Sequence, residues 1–150
     1  MAATRIGKSR PRVLVIDDDE GVRTTLEILL QDAGINVLLA ADGGRGLAIF
    51  QAHPVDLVIT DMQMPVMNGC ELIAEMRRKF PQVPIIAMSG GHPAARDDFP
   101  TTELNGGADR TIEKPFDYDA LNALVSELLP NRRGASDGTA TGREPIGRER

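Results

Sequence analysis

The chain has 150 residues, 41% of them hydrophobic, one cysteine and a net charge of −5. That length favours one domain with an ordinary core; no apolar run is long enough to cross a bilayer, and Cys70 alone excludes an internal disulfide framework. The charge is uneven: residues 1–12 hold four basic side chains and no acids, residues 131–150 five arginines and three acids, and residues 13–130 eight basic and 19 acidic side chains. The central span is therefore strongly acidic and poorly suited to nonspecific binding of nucleic acid phosphates.

No signal-peptide core follows the basic N-terminus, because Val13–Ile16 is far too short. The expectation is a cytoplasmic protein without membrane contact. Val13-Leu-Val-Ile16 is a continuous apolar run, as in a strand buried on both faces. A helical pattern follows with Val22, Leu26, Leu29, Leu30 and Ala33 on one face, closed by Gly34. Residues 36–40 read as the second strand. Asp42-Gly43 opens a short helix carrying Leu47, Ile49 and Phe50, and His53-Pro54 ends it.

Leu57-Val-Ile-Thr60 reads as the third strand, followed by a loop rich in Met, Pro, Asn and Gly from Asp61 to Gly69. A third helix is expected from about Cys70 to Lys79, with Leu72, Ile73 and Met76 inward. Ile85-Ile-Ala-Met88 is the fourth strand. Gly90 to Asp109 is irregular, with Pro93, Pro100 and several glycines, and accommodates at most a short helix. Arg110–Glu113 is a short fifth strand, and Asp117–Leu129 a last helix with Leu121, Leu124, Val125 and Leu128 buried. Pro130 stops it. Residues 1–10 and 131–150 are expected to be disordered, the latter having one large apolar residue, Ile146. One domain over residues 11–130 remains.

Strands alternating with helices imply an α/β fold: a doubly wound, five-stranded parallel sheet with right-handed crossovers and helices on both faces. Such sheets bind ligands beyond the carboxyl ends of their strands, where strand order reverses. Strand 1 ends in Asp17, Asp18 and Asp19, strand 3 in Asp61, strand 4 in Ser89 and strand 5 in Lys114.

Taken singly, each has a plain structural reading. Asp18 or Asp19 could cap the first helix, Asp61 and Ser89 could be turn residues, and Lys114 a solvated lysine before a helix. Taken together, with strands 1 and 3 adjacent, the carboxylates of Asp17, Asp18 and Asp61 crowd one crevice. Acids that close raise one another's pKa or require a cation. Oxygen ligands with open water positions suit Mg²⁺. A carboxylate nucleophile, a metal, a lysine and a hydroxyl form a phosphoryl-transfer site.

The residues Val-Leu-Val-Ile-Asp17-Asp18-Asp19, Asp61-Met-Gln-Met-Pro65 with Asn68-Gly69, Met88-Ser89-Gly90, and Lys114-Pro115-Phe116 resemble the receiver domain of bacterial response regulators over about residues 11–130. Their order and spacing carry the resemblance. It implies a flavodoxin-like sheet of order 2-1-3-4-5. It also implies that Asp61 is the phosphoacceptor, and that Asp17, Asp18, Asp61 and the backbone carbonyl of Gln63 hold Mg²⁺. Ser89 and Lys114 would engage the phosphoryl group, and Lys114-Pro115 admits a cis peptide. Asp19 reads mainly as a helix cap. The donor would be a sensor histidine kinase or a histidine phosphotransfer protein, and the phosphorylated protein would pass the group on or bind a downstream target.

Two features depart from the pattern. Thr111 occupies the place of the usual aromatic residue three positions before the lysine, so an aromatic-rotamer switch is not expected. The segment after strand 4 opens with Gly90-Gly-His-Pro93, so part of the output face is expected to be a loop. Cys70 is expected to pack as a small buried residue, His92 to be a loop histidine, and Met62, Met64 and Met67 to be loop packing. The expected function is a stand-alone receiver with intrinsic autophosphorylation and autodephosphorylation chemistry at Asp61, but no enzyme of other substrates. The alternative is a phosphorylation-independent binding module on the same fold. With no room for a helix-turn-helix after Leu129, direct DNA binding is not expected.

Overall fold

The computed structural model describes residues 10–64, 66–90 and 107–129. The expectations for the two termini, for residues 91–106 and for His92 lie outside these. Five strands are present: β1 (Arg12–Ile16), β2 (Asn36–Ala40), β3 (Leu57–Asp61), β4 (Ile85–Ser89) and β5 (Arg110–Glu113). The helices among the described residues are α1 (Glu20–Asp32), α2 (Gly43–Ala52), α3 (Gly69–Lys79) and α4 (Tyr118–Leu128). The strands form one parallel sheet in the order β2-β1-β3-β4-β5, as expected.

The continuous apolar runs are buried on both faces because successive side chains point to opposite sides of a strand. Val13 and Val15 of β1 pack toward Leu26 and Leu30 of α1 and Leu121 and Val125 of α4. Leu14 and Ile16 pack on the other side, with Phe50 of α2 and Leu72, Ile73 and Met76 of α3. The sheet therefore separates two apolar layers, one under α1 and α4 and one under α2 and α3. Leu72, Ile73 and Met76 are each fully buried, and each contributes about 1.5–3 kcal/mol by leaving water. The edge strand β5 is exposed at Arg110, Thr111 and Glu113 and half-buried at Ile112.

Side-chain caps set the helix ends. Asp19 accepts the N–H groups of Gly21 (2.8 Å) and Val22 (3.3 Å), the capping role expected of it. Asp42 and Asp117 cap α2 and α4 in the same way. Asn68 and Glu71 exchange side-chain and backbone bonds of 2.9 and 3.0 Å at the start of α3, a capping box. At the end of α1, Gly34 has φ +85°. Its N–H reaches Gln31 O and that of Ile35 reaches Leu30 O, both at 3.0 Å. This is a Schellman closure, with the apolar Leu30–Ile35 pair that accompanies it.

Several boundaries differ slightly from the sequence reading. β3 and β4 each extend one residue further, because Asp61 pairs with Met88 and Ser89 with Glu113 across the ladder. α3 begins at Gly69 and α4 at Tyr118, since Asn68 and Asp117 serve as caps. Cys70 is only half-buried, because its position on the first turn of α3 leaves part of it at the rim. Burial and the charge of Glu71 still raise its thiol pKa.

Candidate functional site

The strand ends converge at the carboxyl edge of the sheet, and Asp17 is the most constrained residue there. It is fully buried. Its N–H donates to Ala40 O (3.1 Å), and its carbonyl accepts from Arg23 Nη1 (2.7 Å). Its Oδ1 accepts the N–H of Asp19 (2.9 Å) and its Oδ2 accepts Lys114 Nζ (2.8 Å). Asp61, 4% exposed, ends the neighbouring strand. Its Oδ1 accepts the N–H of Gln63 at 3.4 Å and lies 3.5 Å from Lys114 Nζ. Asp18 is exposed, and one carboxylate oxygen from each of Asp17, Asp18 and Asp61 falls within a 4.8 Å cluster.

The electrostatics follow from this crowding. Burial raises the pKa of Asp61, and the charge of Asp17 raises it further, against the opposing pull of Lys114 and the Gln63 N–H. For Lys114, burial works to lower the pKa. The hydrogen bond to Asp17 and the negative charges of Asp61 and Asp17 outweigh it, and the pKa is raised. The lysine is thus held as an ammonium ion between two carboxylates, with its closer contact to Asp17.

Ser89 and Lys114 are tied through the backbone, the N–H of Lys114 donating to Ser89 O at 2.7 Å. The Lys114-Pro115 peptide is cis. On the other side of the crevice, the loop after Asp61 is pinned by Met62 N–H to Met88 O and Gly69 N–H to Met62 O, both 3.0 Å. Met64 is buried and Met62 and Met67 pack against the same core, the loop packing expected of these methionines. Val66, fully exposed, has φ 71°, a strained conformation for a β-branched residue in the loop beside Asp61.

Three carboxylates against one lysine leave an excess of negative charge in a mostly buried crevice. Hard oxygen donors with an exposed side at Asp18 fit a small divalent cation that keeps several waters. Gln63, expected as a ligand through its carbonyl, contacts Asp61 through its N–H. The sequence reading missed Arg23, whose only local signal is a basic residue in the first helix after the acids. It also missed Gly69 as a packing requirement, although Asn68-Gly69 was visible as a motif.

The family model of the response regulator receiver domain matches residues 13–126. The autoinducer 1 sensor kinase/phosphatase LuxN of Vibrio campbellii is 34% identical over 140 residues, covering 93% of this chain and 16% of LuxN. The transcriptional regulatory protein PrrA of Mycobacterium tuberculosis is 35% identical over 130 residues, covering 87% of this chain and 54% of PrrA. The chain thus spans a small part of the first relative and about half of the second. Among solved structures, the response regulator TrrA of Thermotoga maritima in complex with Mg²⁺-BeF superposes with a TM-score of 0.70 and 33% identity. That match covers 79% of this chain and 99% of TrrA. With this sheet order and this match, the chain belongs to the response regulator receiver domain family, the phosphoacceptor module of two-component signalling.

Proposed function

We propose that Asp61 accepts the phosphoryl group, from a sensor histidine kinase or a histidine phosphotransfer protein, within a receiver unit of residues 11–130. The observation that carries this reading is the placement of Asp61 beside Asp17, with Lys114 Nζ within 2.8 Å of one and 3.5 Å of the other. Asp17, Asp18, Asp61 and the Gln63 carbonyl would hold Mg²⁺. When bound, Mg²⁺ supplies positive charge for the phosphoryl oxygens and offsets the repulsion among the acids.

In the transfer, a carboxylate oxygen of Asp61 forms a bond to phosphorus as the bond from phosphorus to the donor nitrogen breaks. Asp61 must be ionised to attack, and Lys114 favours that form against burial and the charge of Asp17, which raise its pKa. Asp17 holds Lys114 with its charge 3.5 Å from Asp61 Oδ1, where it would oppose the negative charge that develops on the phosphoryl group. The acyl phosphate adds charge and acceptor oxygens. The Ser89 hydroxyl and Lys114 Nζ are the donors for these oxygens, and the backbone bond between the two residues moves β4 and β5 together. That couples the local charge to the face the two strands support. With acetyl phosphate as donor the bond that breaks is the one from phosphorus to the acetate oxygen, and acetate leaves. Water attack on the phosphorus of the product breaks its bond to Asp61, releases inorganic phosphate and returns the carboxylate, so the label decays.

The phosphorylated protein would relay the group or bind a target, without direct contact to nucleic acid. It would act in the cytoplasm. Among the described residues no helix is long and apolar enough to cross a membrane. The test is intact mass after incubation with acetyl phosphate and Mg²⁺, beside Asp61→Ala and an EDTA control. One added phosphoryl group in the native protein alone, abolished by EDTA, is expected. A folded, Mg²⁺-binding native protein that gains none from acetyl phosphate or from a phosphorylated histidine kinase would favour a phosphorylation-independent binding module.

A further inference from the structure

Arg23 lies outside the acid cluster and takes no part in the transfer described above. It sits near the start of α1, half-buried, and its Nη1 donates to the main-chain carbonyl of Asp17 at 2.7 Å. Asp17 has no exposed surface, so with Arg23 in place the carbonyl has no solvent to turn to. The other three anchors on Asp17 hold its N–H and its two carboxylate oxygens. Arg23 holds the remaining polar atom.

The consequence extends one residue further. The Asp17 carbonyl and the Asp18 N–H share one rigid peptide plane. Fixing the carbonyl fixes the plane from which Asp18 departs, and Asp18 is the exposed member of the cluster. Its aim depends on the backbone beneath it. Groups that orient metal ligands from behind tune affinity through such contacts.

We propose that Arg23 is a positioning residue for the Mg²⁺ site, acting through the Asp17 carbonyl to hold the Asp17–Asp18 turn in ligating geometry. The proposal rests on the reading of these acids as metal-binding. Two effects of Arg23 oppose one another. Its positive charge repels a divalent cation, so electrostatics alone would make Mg²⁺ bind more tightly once the charge is gone. Loss of positioning would make Mg²⁺ bind more weakly. The sign of the change separates the two.

The experiment is calorimetric titration of Mg²⁺ into the wild-type chain and into Arg23→Met, which keeps the apolar stem but has neither charge nor donor. Weakening of roughly 10- to 100-fold is expected. Metal-free hydrogen exchange at the Asp18 and Asp19 amides should be faster in the variant. In acetyl phosphate labelling, the Mg²⁺ concentration for half-maximal rate should rise while the rate at saturating Mg²⁺ stays near wild type. If Arg23→Met does not fold, Arg23→Gln, also neutral, is titrated against the same criterion. Unchanged or tighter Mg²⁺ binding in a folded variant overturns the proposal while leaving the acids' role intact. A wild-type chain that takes up no Mg²⁺ overturns both.

Discussion

Replacing Gly69 by alanine would place a methyl group where α3 meets the end of β3. The added Cβ would lie 2.6 Å from Met62 Sδ, 2.7 Å from Asp61 O and 2.7 Å from Met62 Cα. The sulfur can swing aside, but the other two atoms are backbone. Carbon contacts relax near 3.5–4.0 Å, so the helix start and the Asp61–Met62 peptide must separate by about 0.8 Å. The helix start resists, being held by the Asn68–Glu71 capping box and by fully buried Leu72. Overpacking of this kind costs about 1–3 kcal/mol, less a gain of up to about 1 kcal/mol from alanine's helix propensity. A net loss of about 1–2 kcal/mol, or about 4–8 °C in Tm, is expected. Gly34→Ala is the control. It meets nothing within 4 Å but must adopt φ +85°, which costs roughly 1–2 kcal/mol at the opposite edge of the sheet from Asp61. Urea denaturation should find both variants destabilised to a similar degree. Acetyl phosphate labelling should slow only in Gly69→Ala, on the order of 10- to 100-fold, because the displaced peptide belongs to Asp61, the proposed phosphoacceptor. Wild-type stability and labelling in Gly69→Ala, or equal slowing in both variants, would refute the reasoning.

Three further perturbations test the electrostatics and the scaffold. Asp61 has its pKa raised above 3.8 by burial and by Asp17. The folded metal-free chain therefore binds more protons than the unfolded chain above that value, and stability falls as pH rises through the window. Asp61→Asn should accordingly be more stable than wild type at about pH 7 without metal, and the gap in urea midpoint should close as the pH falls below 3.8; a gap independent of pH would count against this. Lys114→Met leaves Asp17 and Asp61 without their cation and should cost about 2–3 kcal/mol at neutral pH, since Lys114 remains a quarter exposed. The loss should shrink in acid, where the carboxylates protonate. In the wild type, the stability from the raised Lys114 pKa is complete below 10.5 and disappears as pH rises through the folded value. Asp109→Ala removes the carboxylate that accepts both Arg77 Nη2 (2.7 Å) and the N–H of Ile85 (2.8 Å). A loss of about 1–2 kcal/mol is expected, with faster exchange at the Ile85 amide; unchanged exchange there would show that this carboxylate does not anchor β4.

What the sequence determined by itself depends on neighbours along the chain. The boundaries of β2 and β5, the apolar faces of the helices and the caps at Asp19 and Gly34 rest on periodicity and on bonds spanning a few residues. The candidate acids, Ser89 and Lys114 were legible because strand ends in a parallel sheet share one edge, so a list of C-terminal residues is also a list of neighbours. Only the tertiary structure decided how those residues meet. Lys114 and Asp17 are 97 positions apart, and no local rule says that the lysine lies closer to Asp17 than to Asp61. The grip of Arg23 on the Asp17 carbonyl, the backbone contact that makes Gly69 necessary and the tie from Arg77 of α3 through Asp109 to the start of β4 were equally hidden. Each is a side chain or a methyl-sized gap set against backbone by packing, and chain order records neither the distance nor the direction of such contacts.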